Sequence, residues 1–238
     1  MNKWIMAGTA AAFTGAAAFA RSEYERTHLD IVHYDIKTDK LGLEWNGFKA
    51  VFLSDLHDNS FGMENEELLA AIEKEQPDIV VIGGDMLVVK EWAAPHFDML
   101  ANLYKKLVKR YPVYYAFGNH EQRMKEEPLT YPSWWQSYWK VLKDSGMHVL
   151  VNKSEEIIKN GTAMRISGIT LPRECYRKGR IPSLSAGYID KKIGKASDKN
   201  CCLLTHQPLQ RHMPIGVPIW YLVAIFMEVP LESLVLEE

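Results

Sequence analysis

At 238 residues, with 47% hydrophobic and 24% charged positions, the chain is long enough to bury one substantial core. A formal charge of -2 and a pI near 6.5 provide no global positive field for a phosphate backbone, so no nucleic-acid partner is expected, and a small polyanionic substrate would need a bound cation. The three cysteines, Cys175 and the adjacent Cys201 and Cys202, exclude a disulfide framework and a CxxC zinc site and read as small buried apolar residues.

From Trp4 to Ala20 the chain is uncharged and rich in alanine, near the lower length limit for crossing a bilayer. Lys3 precedes this stretch, "AFA" ends it at Ala20, and a charged spacer, "RSEYER", follows. Residues 1–28 therefore read as a signal peptide or an N-terminal membrane anchor with a spacer, against the alternative of an apolar helix belonging to the domain. That reading makes the membrane a partner through the N-terminus and places the protein membrane-anchored or exported, on the extracytoplasmic face. Lys3 against Arg21 and Arg26 gives no charge bias that sets sidedness by itself.

The globular domain is expected over 29–208. "HLDIVHYDI" alternates as a strand does, and "FKAVFLSDLH" is a short apolar run ending abruptly in polar residues. "ENEELLAAIEKEQPD" predicts a helix with an acidic first turn and Pro77 as its stop. "DIVVIGGD" predicts a buried strand, "HFDMLANLYKKLVKRYP" an amphipathic helix, and "VYYAFGNHE" another strand. In the helix "YPSWWQSYWKVLKDSG", Trp134, Trp135, Tyr138, Trp139 and Leu142 share one face, which is either core or a lid over an apolar substrate. "HVLVNKSEEIIKNGTAMRISGITL" alternates around Asn160-Gly161, a hairpin signal, and "CCLLTH" is the last strand.

Strands alternating with helices predict an α/β fold with a largely parallel sheet covered on both faces, and ligands in such folds gather beyond the carboxyl ends of the strands. Four strands end in groups suited to metal binding or catalysis. They are Asp55 and His57 after "VFLS", Asp85 after "VVIGG", Asn119 and His120 after "YAFG", and His206 after "LLT". Singly, each has a plainer reading: a turn aspartate beside a surface histidine, an Asx cap, a hydrogen-bonded core histidine. Together they mix hard oxygen donors with imidazole, a set that suits Mn, Fe or Zn, and a shared carboxylate can bridge two cations. Glu121 and Arg123 flank His120. A solvated salt bridge is the expectation for them, with orientation of the histidine or the substrate as the alternative.

"SDLH", "GGD", "GNHE" and "THQP", in this order and at these intervals, resemble the calcineurin-like metallophosphoesterases, particularly the small membrane-linked bacterial group. The resemblance implies a two-sheet β-sandwich flanked by helices. It also implies two divalent or trivalent metal ions, with Asp55 and His57 on the first, Asp85 bridging, and Asn119 and His206 on the second. His120 would be the catalytic histidine, protonating the leaving oxygen or stabilising charge on the phosphoryl group, and Asn119 and His120 would contact substrate. The implied reaction is hydrolysis of a phosphomonoester or phosphodiester by hydroxide shared between the metals. The substrate would be a small phosphorylated compound, free or lipid-linked. A membrane-associated scaffold that retains the fold without activity is the alternative.

The family pattern needs a further "GHxH" soon after "THQP", and none is present; His212 stands alone in "QRHMP". If "VPIWYLVAIFMEV" is back-translated and its frame shifted, the codons permit "ADLVLSGHIHGG", with Val forced by Trp-Tyr and Gly by Met-Glu. Residues 209–238 are accordingly expected to be an out-of-frame tail, with the fold truncated at its C-terminus and each metal short of one ligand. The activity of this chain would then be impaired.

Overall fold

The computed structural model describes residues 28–35, 41–176, 187–194 and 202–205, together with residues 15, 19, 20 and 24. The first sheet contains β1 (Ala50–Leu53), β2 (Ile79–Ile82), β3 (Val113–Ala116) and β4 (His148–Leu150), all parallel and in the spatial order β1-β2-β3-β4. These are short runs dominated by apolar, often β-branched or aromatic residues, and all four residues of β2 and of β3 are buried. Strands of that composition are stable only when both of their faces are covered.

What covers them differs from face to face. Right-handed crossovers that step each strand to the same side put every connecting helix on one face of the sheet. There lie α1 (Glu66–Glu75), α2 (Phe97–Val108), α3 (Asn119–Glu126) and α4 (Trp134–Ser145). In α2, Leu100, Leu103, Tyr104 and Leu107 recur at helical spacing and are fully buried against Val80, Ile82 and Tyr115 of the sheet. Tyr138 and Leu142 of α4 join the same cluster. Trp134, Trp135 and Trp139 are half-buried and pack on its margin, so the aromatic stripe belongs to the core.

The alternate residues Ile79, Val81 and Tyr114 point the other way and pack with Leu150, Ile157 and Ile166. Ile157 and Ile166 belong to a second sheet, the hairpin β5 (Lys153–Lys159) and β6 (Thr162–Gly168) with β7 (Cys202–Thr205) parallel to β6. Both faces of the parallel sheet are covered as expected, one by helices and the opposite one by a sheet, which is the two-sheet sandwich flanked by helices. A short helix, α5 (Tyr188–Ile193), adjoins β5, where Ser154 Oγ donates to the Ile193 carbonyl at 3.4 Å.

"HLDIVHYDI" is also corrected. Among residues 28–35 no strand forms; Leu29 packs on the helix-side core and His33 bonds to Glu75 of α1 at 2.7 Å. Ile31 makes a single β-bridge that does not extend into a strand. Pro77 ends α1 as expected, after Gln76 takes a left-handed conformation. The hairpin turns at Asn160-Gly161, both with positive φ. Cys175 is buried. Apart from residues 15, 19, 20, 24 and 28, the expected leader lies outside the described residues, as do His206 and the tail after Pro208. Among the described residues no helix is long and apolar enough to cross a membrane.

The parallel register brings the ends of β1, β2 and β3 level, Leu53 beside Ile82 and Ile82 beside Tyr115, so the loops that follow meet on one edge. Their approach is close. A Cβ on Gly84, which has φ +92°, would lie 1.9 Å from the backbone nitrogen of Gly118. Gly84→Ala is expected to cost at least about 1–3 kcal/mol from the dihedral alone and to push the two loops apart. Urea unfolding measures the cost, and a variant as stable as the parent would show that the loops do not meet so tightly.

Candidate metal centre

After β1 the chain turns through Asp55, His57 and Asp58, all with positive φ, and after β2 through Asp85, also with positive φ. Backbone hydrogen bonds hold these strained turns together: Asp55 N donates to the Gly84 carbonyl, His57 N to that of Asp85, and Asp58 N to that of Met86, each at 3.1 Å. Asp58 adds a side-chain tie, accepting from Val88 N at 2.9 Å and His96 N at 3.1 Å. Strain at such positions persists only where the surroundings over-determine it.

Asp55, His57 and Asp85 come together, with one ligand atom from each lying within 4.8 Å of the others. Asp55 is 2% exposed and Asp85 fully buried. Asn119 and His120 open α3, and their groups converge on the same aspartate: Asn119 Nδ2 donates to Asp85 Oδ2 at 3.0 Å and His120 N to Asp85 Oδ1 at 2.7 Å. Asp85 thus sits at a helix N-terminus, where backbone N–H groups favour negative charge. The His120 ring stands 5.3 Å, centroid to centroid, from that of His57. Of the six residues singled out from the sequence, five share this edge, and His206 lies outside the described residues.

Glu121 overturns its sequence-based expectation. It makes no ion pair with Arg123 and is fully buried. One oxygen accepts from Asp85 N at 2.9 Å and Gly118 N at 3.0 Å, and the other from Met86 N at 3.2 Å and Tyr115 OH at 2.7 Å. Behind it, Tyr115, Tyr138 and Tyr104 are linked hydroxyl to hydroxyl at 2.6 and 2.7 Å. The signal was present in "GNHE": a glutamate three residues after a helix N-cap reaches back to the cap nitrogen. Ser54, whose Oγ donates to Asp55 Oδ2 at 2.6 Å, was not singled out and carries no distinctive sequence signal.

Residues 48–219 match the family profile described as calcineurin-like phosphoesterase, a span containing every residue placed here. The chain belongs to the calcineurin-like phosphoesterase family. It is also similar to "Uncharacterized metallophosphoesterase YkoQ" of Bacillus subtilis (strain 168), 32% identical over 117 residues, which are 49% of this chain and 41% of that protein. The chain thus spans less than half the length of this relative. The family is one of metal-dependent phosphoesterases.

The donor set fits a cation on electrostatic grounds. Burial, outweighing the Ser54 hydrogen bond, pushes Asp55 up to about 7. Burial and then the charge of Glu121 push Asp85 up to about 9. Burial also raises Glu121, against the pull of its hydrogen bonds. Burial and the nearby charge of Glu121 disfavour the ionised forms of Asp55 and Asp85, a situation that a positive ion beside them reverses, whereas the four donors around Glu121 suit its carboxylate form. The histidines move the opposite way: burial lowers His57, and burial, with His57 and Arg123 nearby, lowers His120 to about 4.

Two outcomes follow from this geometry. Because the raised carboxylate pKa values mean that the metal-free protein holds protons at pH 6, cation binding there must release them, and affinity must rise with pH through about 7. Titration calorimetry in buffers of different ionisation enthalpy reads the release, and its absence would contradict the assignment. Glu121→Gln places an amide donor against backbone donors and should cost roughly 1–3 kcal/mol per unsatisfied buried group, together with a loss of metal affinity measured in the same calorimeter.

Proposed function

We propose that the protein hydrolyses phosphomonoesters or phosphodiesters at a two-cation centre. In this reading Asp55 and His57 would hold one ion, Asn119 and His206 would hold the other, and Asp85 would serve both. The observation that carries it is the meeting of Asp55, His57 and Asp85 within 4.8 Å, with Asn119 bonded to Asp85. Mixed carboxylate, amide and imidazole donors suit manganese, iron or zinc. Such cations supply Lewis-acid polarisation of phosphoryl oxygens and a more acidic water.

The chain's own groups do the rest. The β1 and β2 turns hold Asp55 and Asp85 at fixed separation through paired backbone hydrogen bonds, and the start of α3 aligns Asn119 and His120 on Asp85. Burial excludes water from the carboxylates, which strengthens every electrostatic contact a phosphate makes beyond them. His120, beside His57, is the group placed to meet substrate oxygens. The substrate in this proposal is a small phosphorylated compound, lipid-linked where the N-terminal segment holds the protein at a membrane.

We also infer that the tail from residue 209 is read out of frame and that activity is impaired for want of the "GHxH" ligands, an inference carried by the codon argument from the sequence. Hydrolysis of p-nitrophenyl phosphate with added manganese tests both readings. Asp85→Asn should abolish metal-dependent turnover. A chain with the frame restored should exceed the present one by at least about 10-fold, the usual scale of a lost ligand-shell group. Equal turnover of the two chains, each with nearly two metals bound, would contradict the impairment, and turnover unchanged in Asp85→Asn would contradict the centre.

A further inference from the structure

The polarity of the hydrogen bonds around His120 goes beyond the metal centre itself. Its Nδ1 faces two groups: the backbone N–H of Val89 at 3.1 Å and a guanidinium nitrogen of Arg123 at 3.2 Å. An amide N–H and a guanidinium are donors only, and an arginine does not lose its proton in a protein. Nδ1 must therefore be an acceptor, and the ring proton resides on Nε2.

The clamp is held from both ends. The same Arg123 nitrogen that approaches His120 donates to the Val89 carbonyl at 3.0 Å, so one guanidinium grips both the histidine and the residue whose amide also binds it. Asp58 fixes the neighbouring turn by accepting from Val88 N and His96 N, which keeps the Val89 amide aimed at the ring. Arg123 forms no ion pair with any described carboxylate, although Glu121 lies two residues away on the same helix. Its hydrogen bonds go to the histidine and its support.

We propose that Arg123 is a positioning residue which, with the Val89 amide, locks His120 as the Nε2–H tautomer, so that His120 donates a hydrogen bond to a substrate phosphoryl oxygen and does not protonate the leaving oxygen. A neutral ring can lend its Nε2–H but cannot release that proton without becoming an imidazolate. Protonating a leaving group would need a cationic ring, which would break both contacts at Nδ1. The proposal rests on the phosphoesterase reading for the identity of the substrate, but the state of the ring can be measured without turnover.

Long-range 15N–1H correlation spectra of the full chain labelled at its eight histidines provide that measurement, with His120 assigned by the signal lost in His120→Asn. At pH 7 the expected pattern is a single tautomer with an acceptor Nδ1 and a protonated Nε2. In Arg123→Gln the two tautomers should mix, and Arg123→Lys, which keeps a cationic donor, should restore the parent pattern in large part. A parent spectrum showing Nδ1–H or a cationic ring would overturn the proposal, whatever the activity.

Kinetics supply a second arm. Arg123→Gln should lower kcat at least about 10-fold, within the range for a group that acts on charge in the transition state, and leave KM within about twofold. It should have no further effect in a His120→Asn background. His120→Asn should slow p-nitrophenyl and alkyl phosphates by the same factor, since neither receives its proton. A selectively larger loss on the alkyl ester, or additive effects of the two substitutions, would overturn the proposal. Absence of turnover in every chain, the frame-restored one included, with the tautomer intact, would count against the phosphoesterase reading and leave the clamp standing.

Discussion

Glu121 ties together the two loops on which the metal centre depends. Its carboxylate is sealed inside the protein, yet it gathers three backbone N–H groups, from Asp85, Met86 and Gly118, and the hydroxyl of Tyr115. Two of those nitrogens belong to the turn after β2 and one to the turn after β3, so a single side chain spans the loops that carry Asp85 and Asn119. An unpaired carboxylate in that position would be prohibitive, and each buried donor left without it would carry its own desolvation cost. The tyrosine chain behind it, Tyr115 to Tyr138 to Tyr104, extends the same network into α4 and α2. The catalytic edge is thereby braced by the helix layer, and small displacements in the helices would be felt at Asp85.

The same arrangement explains why a cation belongs there. Asp55, Asp85 and Glu121 occupy neighbouring buried positions and raise one another's proton affinity. Glu121 has its charge shared among four donors, whereas Asp55 and Asp85 have fewer and face the open edge. The fold thus separates structural from ligating carboxylates by the donors it gives each. Gly84 and Gly118 permit that separation by letting the two turns touch backbone to backbone.

Much of this was legible in the sequence, and the failures have physical causes. The strands that end in Asp55, Asp85 and Asn119 were visible because a buried parallel strand must be an apolar run, and its abrupt polar end marks the functional edge. The residues 29–35 misled because alternation does not fix how far pairing extends, and here it stops at a single β-bridge at Ile31. The cover on the far face was not legible from pattern alone and came from the family resemblance, since the hairpin β5–β6 can serve as an independent ribbon or a sandwich layer, and the packing of Ile157 and Ile166 on Val81 decides between them. Glu121 was taken for a surface charge because its neighbours in sequence are polar, while its partners are backbone groups from distant loops that a linear reading does not display. The clamp on His120 was hidden for the same reason: Val89 is an unremarkable valine whose amide, not its side chain, acts.

The account's central claim is that loops after successive parallel strands bring Asp55, His57 and Asp85 to one cation-binding point. Diffraction from manganese-soaked crystals, recorded where manganese scatters anomalously, tests it most directly. The account predicts an anomalous peak in contact with these three side chains. No peak there under saturating manganese, or a peak only at surface carboxylates with Asp55 and Asp85 apart, would contradict it.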